Sequence, residues 1–213
     1  MAVVDKRRGA RLPHWTLEGA SYFVTFRTAD SLPRHLVVQY RNEIKHEEDL
    51  LRRKLGRDLT VREISEIRWK TAGRAERYLD QGLGECLPAR PGVAEIIRDT
   101  LFHFDRARYG LHAWCVMPNH VHVVVQPYGE HKLSQIILSW KTWSARHANE
   151  LLKRDGRFWQ REYYDRIVRC PLSHEGTVRY VLNNPAKAGL HGWQFMGSSE
   201  VDYSSIAWLG TQT

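Results

Sequence analysis

Residues 111–127 read LHAWCVMPNHVHVVVQP, two β-branched and aromatic runs divided only by Pro118 and Asn119. Runs of this kind, parted by two turn-forming residues, fold back on each other as an antiparallel pair. A paired strand sends alternate side chains to opposite faces. Val121, Val123 and Val125 therefore take one face, and His120 and His122 project together from the other. The valines require a packed layer beneath them. The imidazoles require a reason to sit side by side, and two readings meet it. One is a solvent-facing strand with two incidental histidines; the other is a rigid bidentate clamp for a metal.

The rest of the chain supplies the layers. Residues 21–28, SYFVTFRT, have strand composition. From Arg34 to about residue 80 the pattern turns charged and helical, and Thr60 with Glu63 forms a capping-box signature for its second helix. A Gly- and Pro-rich loop, GLGECLPARPG, leads to a helix with apolar residues at 93, 96, 97, 101 and 104, ended by Gly110. After the hairpin comes a long helix with a stripe at 133, 136, 137, 140, 144 and 151. An aromatic strand over residues 157–169 follows, then a helix stopped by Pro185. The tail, VDYSSIAWLG, has no legible pattern. The order matches an α+β, ferredoxin-like split βαββαβ antiparallel sheet with helices on one face. A helical insertion at about 34–80 occupies the first crossover, and an additional helix carries Tyr180. Residues 1–213 are expected to form a single domain with a flexible basic arm at about 1–14.

Composition narrows the partners. The net charge is +8, and no run of 18 apolar residues exists to span a membrane. The excess is local: residues 132–169 hold nine Lys/Arg against four Asp/Glu, a net +5. A surface that tracks a phosphate backbone has this distribution. No apolar signal segment follows the basic N-terminus. Three scattered cysteines with no CxxC fit a reducing compartment, so a cytoplasmic, nucleoid-associated protein is expected.

The chemistry must come from few residues. The alternation in HVHVVV places Val124 where a histidine-triad hydrolase would carry its nucleophilic histidine, so that class lacks its central group. Two imidazoles leave open positions on a metal that could act as a Lewis acid on a phosphodiester. In TVRYVLNNP, Tyr180 and Asn184 lie four apart on one helix face. Tyr180 could attack phosphorus, and Asn184 could lend a carbonyl oxygen to a hard cation. Each also has a plainer role, Tyr180 as a packed ring and Asn184 as a cap before proline.

The segments WCVMPNHVHVVVQP, LSWKTWSARHANE, FWQREYYDRIVR and YVLNNPAKAGL, in this order, resemble the single-tyrosine HUH transposases, an IS200-like family, and most of all its REP-associated tyrosine transposase branch. The loop GLGECLPARP is similar too, and the likeness runs from about Tyr22 to Leu190. The resemblance implies a metal-dependent single-stranded DNA endonuclease and strand transferase. On it, His120 and His122 match the metal-binding histidines, Tyr180 the nucleophile and Asn184 the residue completing the metal site. It further implies Mg²⁺ or Mn²⁺, palindromic hairpin DNA, a covalent 5′-phosphotyrosine intermediate, and a monomer or homodimer.

DNA contacts are expected from Lys141, Arg146, Arg161, Arg166, Arg169 and Arg11. Trp143, Trp159, Tyr163 and Tyr164 could stack bases, although Trp159 is expected in the core. Two alternatives stay open. One is a catalytically inactive binder of DNA hairpins. The other is a metal-dependent phosphoesterase acting on RNA or nucleotides, which would not need Tyr180.

Overall fold

In the computed structural model, which describes residues 5–8 and 13–208, two strands form before the main sheet: β1 (Asp5–Arg8) and β2 (Pro13–Thr16) pair as a small antiparallel ribbon. Arg11 lies outside the described residues. The main sheet holds β3 (Tyr22–Arg27), β4 (Tyr109–Val116), β5 (His120–Pro127), β6 (Tyr164–Ile167) and β7 (Met196–Ser198), in the order β6-β3-β5-β4-β7. All neighbours are antiparallel. The hairpin closes as its sequence dictates, with the Met117 N–H donating to the His120 carbonyl at 2.8 Å. Set β7 aside, and the order is that of a ferredoxin-like split βαβ sheet.

Each face of the sheet buries a different set of elements. Val121, Val123 and Val125 pack with Ile97 and Leu101 of α3 (Val93–Phe102) and with Ile137 and Trp140 of α4 (Leu133–Leu151). Each fully buried aliphatic side chain there stabilises the fold by about 1.5–3 kcal/mol. The opposite face carries Phe23, Cys115 and Val124, packed with Val181 of α5 (Pro171–Lys187). The insertion covers part of this second face. Its helices, α1 (Arg34–Leu55) and α2 (Val61–Leu79), are joined by Arg68–Glu48 at 3.2 Å and Arg74–Glu43 at 2.8 Å. Thr60 and Glu63 make both hydrogen bonds of the capping box that starts α2.

Several boundaries differ from the sequence expectation. α3 ends at Phe102, not Gly110, because the Asp105 carboxylate turns the chain by accepting the Leu111 N–H at 2.8 Å. Gly110 lies inside β4. In α4 the stripe closes on Ala148, and Leu151 is exposed. Only four residues of the expected 157–169 strand enter the ladder, with Trp159 making an isolated bridge to Thr28. Trp159 is in the core, as its neighbours suggested. α5 continues through Pro185 to Lys187. A proline so near the helix end forfeits a single intrahelical bond, to the carbonyl four residues back. Asn184 is therefore not a C-cap, and its side chain is available for another role. Residues just before the tail supply β7, at the far edge of β4, and the tail itself makes one short turn at Tyr203–Ser205.

Candidate metal and tyrosine site

His120 and His122 lie opposite Arg27 and Thr25 in the β3–β5 ladder, and both are wholly buried. Their outer nitrogens are tied. The Asn119 amide donates to the carbonyls of Leu79 at 3.1 Å and Leu83 at 3.0 Å. That fixes its Oδ1 toward His120 Nδ1, 2.7 Å away, so Nδ1 carries the proton. Thr25 Oγ1 holds His122 Nδ1 at 2.8 Å. Such ties orient metal-binding imidazoles and set their tautomers. The two Nε2 atoms then face each other at 2.9 Å.

A third group arrives from the insertion. Glu76 on α2 places Oε1 2.9 Å from His122 Nε2. Glu76, His120 and His122 each offer one ligand atom, and these atoms lie within 4.8 Å of one another. Burial pushes His120 well below the ordinary histidine range, helped by repulsion from His122. Burial alone would raise the Glu76 carboxyl, yet His122, with Tyr180 and His120, holds it well below the usual carboxylate range. Asp80, one turn after Glu76, is raised by burial and by the Glu76 charge. Convergent lone pairs of this kind need a proton or a cation between them. Nitrogens 2.9 Å apart can both reach one ion at about 2.1 Å, so the residues fit a divalent metal.

The tyrosine is already at this cluster. Its ring centroid lies 5.9 Å from that of His122, 5.7 Å from Phe23 and 6.2 Å from Trp69. Burial, then the neighbouring Glu76 carboxylate, push the phenol well above its ordinary range. The Tyr180 hydroxyl and both amide atoms of Asn184 are buried next to the Glu76 carboxylate, and none of them makes a well-aligned hydrogen bond. Lys187 Nζ caps the far side of the ring at 5.0 Å.

The Gly-rich loop serves the same place. Besides the Leu83 carbonyl that grips Asn119, it is anchored where Asp30 Oδ2 accepts the Glu85 N–H at 2.7 Å. Gly84 has φ of +91°, and a Cβ there would meet Asp30 Oδ2 at 2.7 Å. No larger residue fits this anchor.

The basic residues divide. Arg166 lies over Trp69 at 4.1 Å, and Arg169 is 3.6 Å from Glu66, both on the side of the site. Arg161 is exposed just before β6. Lys141 donates to the carbonyls of Gln160 and Arg161 at 2.7 and 2.8 Å, and burial pushes it down to about 8. Arg146 pairs with Glu150 at 2.9 Å on α4, across the sheet from the site. Glu76, Asn119 and Thr25 escape a reading of the sequence. Glu76 is one carboxylate among many in a charged helix, and Thr25 is an ordinary strand residue. Asn119 alone left a trace, in its position beside His120.

A buried imidazole pair thus sits on a ferredoxin-like sheet, with a carboxylate from one helix and a phenol from another beside it. Residues 90–184 match the family model described as "Transposase IS200 like", a family of enzymes. The matched stretch contains His120, His122, Tyr180 and Asn184; Glu76 lies outside it. A REP-associated tyrosine transposase solved bound to a REP hairpin is 15% identical, covering 96% of this chain and 98% of that one, with a TM-score of 0.49. A Deinococcus radiodurans R1 protein described as a transposase is 16% identical, covering 77% and 89%, with a TM-score of 0.34. No curated protein matches the chain. No described helix is long and apolar enough to cross a membrane.

Proposed function

We propose that the chain cleaves and rejoins single-stranded DNA, folded as a palindromic hairpin, through a transient bond between Tyr180 and a 5′-phosphate. The observation behind this reading is the approach of Tyr180 to the His120–His122–Glu76 cluster within one chain. A monomer thus has every group it needs, and residues 1–213 act as one domain. His120, His122 and Glu76 would hold Mg²⁺ or Mn²⁺, with the Asn184 amide joining them. Two nitrogen donors favour Mn²⁺ of the two. Bound there, the cation would polarise the scissile phosphodiester and offset its charge.

The protein's own groups do the rest. Tyr180 Oη bonds to phosphorus as the bond to the 3′-oxygen breaks. The phenol gives up its proton to water as this bond forms, and the departing 3′-oxygen takes one up, so the step is neutral in protons overall. The bond energy is kept in the phosphotyrosine, so attack by a second 3′-hydroxyl restores both tyrosine and DNA. Arg161, Arg166 and Arg169 lie along the site's edge and suit the phosphate backbone. Lys141 serves as an anchor for the loop before β6, and Arg146 faces away from the site.

The test is incubation of the protein with single-stranded hairpin oligonucleotides and Mn²⁺, followed by denaturing electrophoresis. A slower-migrating protein–DNA band is expected with the wild type and absent with Tyr180→Phe, while hairpin affinity stays within about threefold. A metal-dependent cut by Tyr180→Phe with no bound DNA points instead to the phosphoesterase. Hairpin binding by the wild type with no band under any metal points to the inactive binder.

A further inference from the structure

Beside the metal and tyrosine site, the insertion and the β3–β6 edge enclose a cavity of about 200 Å³. Its walls are largely apolar and aromatic, with Phe23, Tyr40 and Trp69 among them. It is continuous with the site in three ways. Glu76 lines it, Thr25 lines it while holding His122 Nδ1, and the Trp69 wall touches Tyr180.

Three arginines also line it, with the carboxylates of Glu76, Glu162 and Asp165, and one of the three, Arg68, is paired with Glu48. Arg27 and Arg41 share this cavity, and their like charges oppose each other. Arg27 makes one side-chain hydrogen bond, to the neutral Ser31 Oγ at 3.1 Å. Among the described residues neither arginine has an acidic partner within ion-pair distance, whereas Arg68 on the same cavity wall pairs with Glu48 at 3.2 Å. A half-buried guanidinium keeps most of its five donors in need of acceptors. An aromatic cavity with two unpaired arginines matches a flat ring joined to an anion, and this is the chemistry of a nucleotide.

We propose that this cavity receives one unstacked nucleobase of the DNA strand, next to the phosphodiester at the His120–His122–Glu76 cluster, with Arg27 and Arg41 on its phosphate. The inference rests on the function proposed above and adds a specificity pocket to it. The helical insertion then has two tasks, supplying Glu76 and walling the base site.

The test uses the full chain without hairpin DNA. Isothermal titration measures binding of each of the four deoxynucleoside 5′-monophosphates, of deoxyribose 5-phosphate and of inorganic phosphate. At least one nucleotide should bind roughly tenfold or more tightly than either base-free probe, because a stacked base contributes that much. Ala72→Phe, which fills the cavity from α2, should weaken that nucleotide about tenfold. Arg41→Gln should weaken it severalfold, and Arg146→Gln, on the other side of the sheet, should leave it unchanged. Should Ala72→Phe lose its cooperative melting transition, Arg41→Gln carries the comparison alone. Nucleotides binding no better than deoxyribose 5-phosphate would overturn the pocket, and so would a folded Ala72→Phe and Arg41→Gln that both bind like the wild type. Nucleotide binding that survives in a protein unable to form the tyrosine adduct would keep the pocket and remove the strand-transfer reading. Adduct formation with no nucleotide binding would do the reverse.

Discussion

Two buried histidine pairs lie at α5, one of them using its own His174, each with ring nitrogens 2.9 Å apart, and they are built for opposite ends. His112 Nδ1 meets His174 Nε2. One ring donates and the other accepts, so the two facing nitrogens satisfy each other, while His174 Nδ1 on the outer side is buried without a partner. Around it stand Ser21, Gln126, Tyr203 and Trp208, with no carboxylate in contact among the described residues. His120 and His122 instead have their Nδ1 atoms occupied by Asn119 and Thr25, so their Nε2 atoms converge with Glu76. Burial depth and residue type are shared. What separates a structural pair from a candidate metal centre is the partner given to the outer nitrogen.

The largest expected contrast is in metal binding. His120→Ala or His122→Ala should reduce Mn²⁺ affinity, measured by electron paramagnetic resonance titration, by more than about a hundredfold, since even outer-layer changes cost 10–100-fold. His174→Ala should leave it within about twofold. Equal losses from the two pairs would erase the distinction drawn here.

The groups that orient the imidazoles come next. Asn119→Ala and Thr25→Val each should lower Mn²⁺ affinity roughly 10–100-fold. Glu76→Gln, which removes the carboxylate charge but keeps its shape, should weaken the metal at least as much. If Glu76→Gln binds Mn²⁺ normally, α2 contributes packing only.

The structural pair should announce itself through pH. Burial pushes both His112 and His174 down to about 4. Unfolded histidines take protons near pH 6.5, so between pH 6.5 and 4 the unfolded chain binds more protons than the native one. Stability from this pair is therefore complete above pH 6.5 and is lost as pH falls toward 4. The expected loss is on the order of 2 kcal/mol for the pair, since screening trims the full linkage value. Urea melts across this range should show it, and His174→Leu should flatten the slope. The smallest effect expected is that of Thr60→Ala, about 1 kcal/mol from the lost cap of α2.

Much of this arrangement was legible because it depends on periodicity. Alternation in residues 120–125 placed the valines and histidines on opposite faces, and the four-residue spacing put Tyr180 with Asn184. Glu76 was not legible. It reaches the histidines from a different element 44 residues earlier, and only tertiary packing selects it from the acidic residues around it. Strand β7 was hidden for another reason: its three residues, Met196–Ser198, are too few to show alternation. Pro185 misled the end of α5, because a proline in the last turn costs too little to stop a helix held by Val181 in the core.

The central claim is that Tyr180, and no other side chain, takes the phosphate. Trypsin digestion of protein trapped with a hairpin oligonucleotide and Mn²⁺, followed by nuclease trimming and tandem mass spectrometry, reads this directly. A nucleotide mass on the peptide containing Tyr180, absent from Tyr180→Phe, is the predicted result. A nucleotide on Tyr163, Tyr164 or any other residue, or an adduct that persists in Tyr180→Phe, would contradict it.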